Sequence, residues 1–217
     1  MRSTSIIAEI KYVSPAEGKL GRYDEPDKIA KMYEEGGAAA VSLITEPTHF
    51  AGNIRYLPIV KSKVTIPVMM KDIIIDKVQI DAASRLGADA VLLISRIFKN
   101  RLANYDLEEM IEYAHILGIE VLLEVHDEEE YLEAGKTKAD IVGINNRDLS
   151  TLQVSIETTE RLLKLGKPKQ PVVSESGFNS RSKIEMLASI GVDAFLIGSA
   201  LMKSRDPVAT LRKLSGG

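Results

Sequence analysis

Five charged side chains stand where short apolar runs end: Glu9 and Lys11, Lys71, Glu124 and Glu175. Glu9 and Lys11 are two apart, so in a strand they point to the same side. Carboxylates and ammonium groups gathered in a partly desolvated space are suited to general acid–base chemistry. Any one of the five reads equally well as a structural ion pair at a sheet rim. Five from four separate strand ends favour a reactive pocket, because buried charges persist only when paired or when function demands them. A second group is Ser176-Gly177 with Gly198-Ser199. Glycine lets backbone approach a ligand closely, and free N–H groups at a helix start favour an anion. Each pair alone is an ordinary turn; both together predict a phosphate site.

These residues need a scaffold that brings distant stretches together. Apolar runs at 6–10, 39–44, 68–70, 90–94, 121–123, 141–144, 172–173 and 194–197 are continuous rather than alternating, as parallel strands covered on both faces read. Helical patterns lie between them. One opens with Asp24, carries Pro26 in its first turn and sets Ile29, Met32 and Tyr33 on one face; another opens with Asp106 and Glu109 as a capping pair and stops at Gly118. Further patterns occupy about 53–63, 76–86, 126–134, 155–165, 180–190 and 206–214. Gly87-Ala88-Asp89-Ala90, Gly118-Ile119-Glu120-Val121 and Gly191-Val192-Asp193-Ala194 share one pattern: a glycine ends a helix, an acid turns the corner and a strand begins. Eight such units predict an α/β fold, a single (βα)8 TIM barrel over residues 1–217. An open doubly wound sheet is disfavoured, since no G-x-G-x-x-G follows the first strand.

In a barrel, function gathers where strands end, and the loops after the last two strands are the common phosphate site. The strand ends therefore add Ser14, Thr45-Glu46, Asp72 and Asn145-Asn146-Arg147-Asp148 to the inventory. Phe50 and Ile73 fit an aromatic pocket or ordinary packing. His49, His115 and His126 fall in different units without ligand spacing and read as solvated side chains. Glu128-Glu129-Glu130 reads as a solvated helix face, and Met69-Met70 as strand filling.

Composition narrows the function classes. With a net charge of −3 and no block of like charge, nucleic acid finds no electrostatic footprint, although one small phosphate needs only a few cations. The absence of cysteine removes disulfides, thiolate metal sites and cysteine nucleophiles, and fits a cytoplasmic protein. No run approaches the roughly 20 apolar residues of a membrane span, and Glu9 interrupts the opening stretch too early for a signal peptide.

Taken in order, the motifs resemble those of indole-3-glycerol phosphate synthase. Ile7-Ala8-Glu9-Ile10-Lys11 with Ser14-Pro15 matches the family's opening signature. Ser42-Leu43-Ile44-Thr45-Glu46, Met70-Lys71-Asp72, Leu123-Glu124-Val125, Gly143-Ile144-Asn145-Asn146-Arg147-Asp148-Leu149, Ser174-Glu175-Ser176-Gly177 and Ala194-Phe195-Leu196-Ile197-Gly198-Ser199 continue it. Any single motif is modest; the ordered set is specific. The resemblance implies closure of 1-(2-carboxyphenylamino)-1-deoxyribulose 5-phosphate to indole-3-glycerol phosphate, with loss of carbon dioxide and water. It implies Lys71 as general acid, with Lys11 sharing that role near the substrate's anionic groups. Glu124 and Glu9 would serve the later proton transfers. Asn145, Arg147, Glu175 and Phe50 would hold the substrate, and Ser14, Ser176, Gly177, Gly198 and Ser199 its phosphate. No cofactor or metal is implied, and a monomer is expected. Family members usually carry a helical segment ahead of the first strand, so this chain is expected to lack that extension. The rival readings are an isomerase resembling phosphoribosylanthranilate isomerase, disfavoured because that family uses a cysteine, and a barrel that binds a phosphometabolite without turnover.

Overall fold

The computed structural model describes residues 4–21, 25–148 and 151–217. The chain runs through β1 (Ser5–Ile10), a two-residue hairpin β2 (Val13–Ser14) and β3 (Gly18–Lys19), α1 (Pro26–Glu35), β4 (Ala40–Ile44), α2 (Pro47–Phe50) and α3 (Tyr56–Lys61). It continues with β5 (Val68–Lys71), α4 (Lys77–Arg85), β6 (Ala90–Ile94), α5 (Ser95–Lys99), α6 (Leu107–Ile116), β7 (Glu120–Val125) and α7 (Glu128–Ala134). The last part contains β8 (Ile141–Asn145), α8 (Glu157–Leu163), β9 (Val172–Glu175), α9 (Arg181–Ser189), β10 (Ala194–Ile197), α10 (Ser199–Met202) and α11 (Pro207–Ser215). Strands β1, β4, β5, β6, β7, β8, β9 and β10 close into one parallel barrel, with β10 pairing back to β1. This is the TIM barrel that the apolar runs predict.

Local chemistry explains most boundaries. Asp106 and Glu109 form the expected capping box at the start of α6, and Asp76 and Gln79 form another at α4. The Asp24 cap lies outside the described residues; α1 begins at Pro26, and Glu25 precedes it without a side-chain cap. Three short helices, α2, α5 and α10, and the hairpin were not anticipated. They are local turns in βα loops, too brief for a 3.6-residue period to register.

Acids at the other end of the barrel fasten neighbouring strands. Asp89 donates its backbone N–H to the Val68 carbonyl at 2.9 Å, while its carboxylate accepts the Val68 N–H at 2.7 Å. Asp193 does the same to Val172, and Asp140 to Val121. Each acid also holds a side chain from just before the strand it fastens: Lys61 at the end of α3, Lys167 in the loop after α8 and His115 in α6, respectively. The Gly118-Ile119-Glu120 turn departs from this plan, because Glu120 is exposed and only its N–H is used, donating to the Asp89 carbonyl. Asp140, which no glycine announces, takes the equivalent part.

Alternation within the strands splits the core in two. Ile7, Met69, Leu92, Leu122, Val173 and Leu196 form an apolar plug inside the barrel. Their sequence neighbours, among them Ala8, Met70, Leu123 and Ile197, pack outward under the helices. Both faces are buried, which is why the strands read as unbroken apolar runs. Among the described residues, no helix is long and apolar enough to cross a membrane.

Candidate active site

Stepping two residues onward from the plug leads to the charges. Ile7 is followed inward by Glu9 and Lys11, Met69 by Lys71, Leu122 by Glu124 and Val173 by Glu175. The charged layer thus rests directly on an apolar floor, at the end of the barrel where the strands finish. Above it opens a cavity of about 670 Å³. Glu9, Lys11, Lys71, Glu124, Asn145, Arg147, Phe50, Ser176, Gly177, Gly198 and Ser199 all line it, with Ile73 and Leu92 among its apolar walls.

Lys71 is the hub of the charged layer. Its Nζ lies 2.8 Å from Glu175 Oε2, 3.3 Å from Glu9 Oε2 and 3.8 Å from Glu124 Oε2. Lys11 Nζ meets the other Glu9 oxygen at 2.7 Å. Burial opposes the Lys71 charge, but the three carboxylates outweigh it, and the ammonium is held well above its ordinary pKa. Burial likewise raises the Glu9 pKa, and Lys11 and Lys71 reverse that, leaving Glu9 below the usual carboxylate range. Glu175 goes the other way: its burial, with Glu124 and Glu9 nearby, exceeds the relief from Lys71 and pushes its pKa up. One Glu175 oxygen, Oε1, is buried without a hydrogen-bond partner. Carboxylates of opposite tendency therefore share one lysine, an arrangement suited to moving protons.

Two glycines make room for this layer. A Cβ at Gly198 would come within 2.4 Å of Glu9 Oε1, and one at Gly143 within 2.4 Å of Glu175 Oε1. By residue type alone Gly198 suits ligand approach and Gly143 has no role; the space each leaves for a carboxylate is set by packing.

Beside the charged layer, the backbone after β9 turns left-handed at Ser176 and Gly177, with φ of 66° and 94°. For a serine this conformation is uncommon and must be held from outside. Asn146 holds it: its buried amide donates to Ser174 Oγ, to the Glu175 carbonyl and to the Ser176 carbonyl, and its oxygen accepts from Thr159. Asn145 Oδ1 accepts from the Arg147 N–H and from Ser176 Oγ, each at 3.0 Å. At the end of the neighbouring strand β10, Gly198 precedes the first turn of α10. The phosphate residues expected after the last two strands thus meet at one rim. Ser14 does not join them: it is buried in the β2–β3 hairpin, outside the cavity lining.

An anion that no residue pattern announces already stands at this rim. Glu17 accepts from Ser199 Oγ at 2.8 Å, pairs with Lys203 and lies 3.6 Å from Arg147. A carboxylate from the hairpin loop thus occupies cationic and hydroxyl groups that suit a phosphate.

A family model for indole-3-glycerol phosphate synthase matches residues 1–214. The chain belongs to the indole-3-glycerol phosphate synthase family. Relatives bearing that name include one from Campylobacter hominis, 39% identical over 97% of this chain and 79% of its own. Another, from Geobacillus thermodenitrificans, is 41% identical over 99% of this chain and 82% of its own. The barrel also resembles more distant structures: thiamine phosphate pyrophosphorylase from Pyrococcus furiosus has a TM-score of 0.67 at 19% identity, covering 97% of this chain and 93% of that one. N-acetylmannosamine-6-phosphate 2-epimerase from Clostridium perfringens has a TM-score of 0.67 at 16% identity, covering 91% and 87%. At that identity the two share the fold alone.

Within this member of the indole-3-glycerol phosphate synthase family, two further expectations are corrected. His126 is not solvated but buried, with Nε2 3.1 Å from Glu124 Oε1 and Nδ1 3.3 Å from Glu130 Oε2. Glu130 is no solvated face either: it is 2% exposed and takes Arg96 Nε at 2.8 Å. His126 stands ahead of α7, so no helical period ties it to Glu130; the packing of α7 beside the end of β7 brings the two together. His49 and His115 are exposed, as expected.

Proposed function

We propose that this chain is an indole-3-glycerol phosphate synthase, closing the pyrrole ring of indole-3-glycerol phosphate in tryptophan biosynthesis. The observation that carries the reading is Lys71, an ammonium fixed among three carboxylates on an apolar floor, beside a rim built for an anion. Binding alone has no use for so many buried charges.

The substrate's phosphate seats on Ser176, Gly177, Gly198 and Ser199, which line the cavity after the last two strands. Arg147 and Asn145 orient the chain of the sugar, and Glu175, buried outside the cavity lining, anchors Lys71. The anilino ring lies against Phe50 and the apolar wall. The aryl carbon that bears the carboxylate attacks the ketose carbon, and negative charge builds on the carbonyl oxygen. Lys71 delivers a proton there. The Lys71 ammonium is fully present at neutral pH; its carboxylate neighbours make it a weak acid until charge develops on the oxygen beside it. Carbon dioxide then departs, leaving its bonding electrons to restore the aromatic ring. In the dehydration the new hydroxyl leaves as water. Glu124 takes the ring proton, while the leaving oxygen takes one on the side of Glu9 and Lys11. With the substrate carboxyl ionised, the sum is one proton taken up and one molecule each of carbon dioxide and water released. Each placed acid or base is worth roughly 10²–10⁴-fold.

The test is direct. The purified chain is mixed with 1-(2-carboxyphenylamino)-1-deoxyribulose 5-phosphate and indole fluorescence is followed; the chain has no tryptophan, so its own background is low. Fluorescence growing with enzyme concentration supports the reading, and none at any concentration ends it.

A further inference from the structure

Beside the cavity, a line of alternating charges runs from Glu124 through His126 and Glu130 to Arg96. Glu124 Oε2 faces Lys71, and Glu124 Oε1 faces His126 Nε2 at 3.1 Å. The His126 ring then faces Glu130 Oε2 through Nδ1 at 3.3 Å, and Glu130 Oε1 accepts from Arg96 Nε at 2.8 Å. Three elements contribute: Glu124 and His126 come from the end of β7, Glu130 from α7 and Arg96 from α5. Glu130 also accepts the backbone N–H of His126 at 2.8 Å, which fixes the ring's position from both of its ends. His126 itself does not line the cavity, whereas Glu124 and Arg96 do.

An imidazole with a carboxylate oxygen at each nitrogen is best accommodated as the imidazolium, which presents a proton to both. We infer that His126 is a positioning residue for Glu124: as a buried cation braced by Glu130 and Arg96, it holds the Glu124 carboxylate ionised and turns its second oxygen toward the cavity. The Nε2–Oε1 approach is close but off the line of a hydrogen bond, so the contact acts chiefly through charge. Other groups act on the same pair. Asn145 from β8 donates to Glu124, Lys71 from β5 adds a positive charge on its far side, and Asp127 and Asp148 add negative charge around Arg96. Burial opposes the His126 charge, and Glu124 and Glu130 overcome it, carrying its pKa to about 9. Glu124 moves down in concert: burial is outweighed by His126 and Lys71. A Glu124 ionised in this way begins the cycle as a base.

This inference rests on the proposed part of Glu124 in proton transfer, and two measurements separate the two. Activity is recorded against pH for the wild type, His126→Asn and Glu130→Gln. Asparagine keeps a donor near Nδ1 but removes the charge, and glutamine keeps the acceptor for the His126 backbone while releasing the imidazole. Removing a cation raises the pKa of its carboxylate neighbour, so the acid limb of kcat/KM moves to higher pH. The expected shift is about one pH unit for His126→Asn, hence roughly tenfold lower activity on that limb and little change on the plateau; Glu130→Gln leaves the imidazolium charged on the acid limb and removes a neighbouring anion, so its limb stays in place or moves to lower pH. In parallel, the Glu124 carboxyl is titrated by ¹³C NMR in the substrate-free proteins, assigned by its loss in Glu124→Gln. Its pKa is expected to rise in His126→Asn. A folded His126→Asn whose pH profile and Glu124 titration overlay the wild type overturns the inference, even if the ring closure is confirmed. If no protein converts the substrate, the functional reading falls, and the carboxyl titration alone decides the coupling.

Discussion

The Cβ that Gly198 lacks would stand 2.4 Å from Glu9 Oε1 and 3.2 Å from Glu9 Cβ. The glycine at the proposed phosphate rim is therefore also the space into which a charged side chain of the first strand folds. Glu9 cannot easily step aside, because Lys11 and Lys71 hold its two oxygens at 2.7 and 3.3 Å. Gly198→Ala keeps the backbone donors of the rim but pushes Glu9 out of register. The expected outcome is a fall in kcat of up to ~10²-fold, the scale of a misplacement of about 1 Å, with binding of inorganic phosphate retained. A kcat within a few-fold of the parent would show that Glu9's position does not matter to turnover.

Lys71→Met removes the hub. Turnover is expected to fall by roughly 10²–10⁴-fold or more, as for loss of a placed acid, while a phosphate-bearing substrate analogue still binds. The carboxylates left behind regain protons, so loss of stability accompanies the loss of rate, and circular dichroism should accompany the kinetics. Turnover within a few-fold of the wild type defeats the assignment.

Glu17 stands on the proposed anion site. Its carboxylate sits on Ser199, Lys203 and near Arg147, so an incoming phosphate must displace it. Glu17→Gln is expected to lower KM, and the Kd for inorganic phosphate, by about two- to fivefold, the scale of an exposed ion pair. Isothermal titration with phosphate is the check; weaker binding would mean that Glu17 supports the rim instead of occupying it.

The His126–Glu130 pair makes stability depend on pH at both ends. His126 is raised to about 9, so its stabilisation is complete below an unfolded value of about 6.5 and is lost as pH climbs through about 9. Glu130 is lowered to about 2 by His126 and Arg96 against its burial, so its contribution is present above about 4.5 and disappears as pH falls toward 2. Urea unfolding at pH 6 and 9.5 should show a loss on the order of 2 kcal/mol in the wild type and less in His126→Asn. Equal losses in both proteins would place the alkaline sensitivity elsewhere.

Much was legible in the sequence. The barrel was, because eight apolar runs buried on both faces carry their own signature, and the capping pair of α6 announced itself in residue types. The gathering of Glu9, Lys71, Glu124 and Glu175 followed from a two-residue step beyond an inward-facing residue, a rule that holds in any strand. The pocket-facing positions were therefore open to inference, since alternation is a local property. Which carboxylate runs high and which low was not: Glu9 has two lysines, whereas Glu175 shares one with two other acids, and only the closing of the barrel sets those distances. The same holds for His126. A histidine next to a strand end and an acid four residues on are ordinary in a list of residues, and they become a buried charge line only when α7 and α5 pack beside the end of β7. Ser14 and Glu17 show the converse, since a two-residue hairpin, too short to have a period, decides that the serine is enclosed and the glutamate reaches the rim. Residue order dictated which groups are available; packing between segments far apart in the chain dictated their charge.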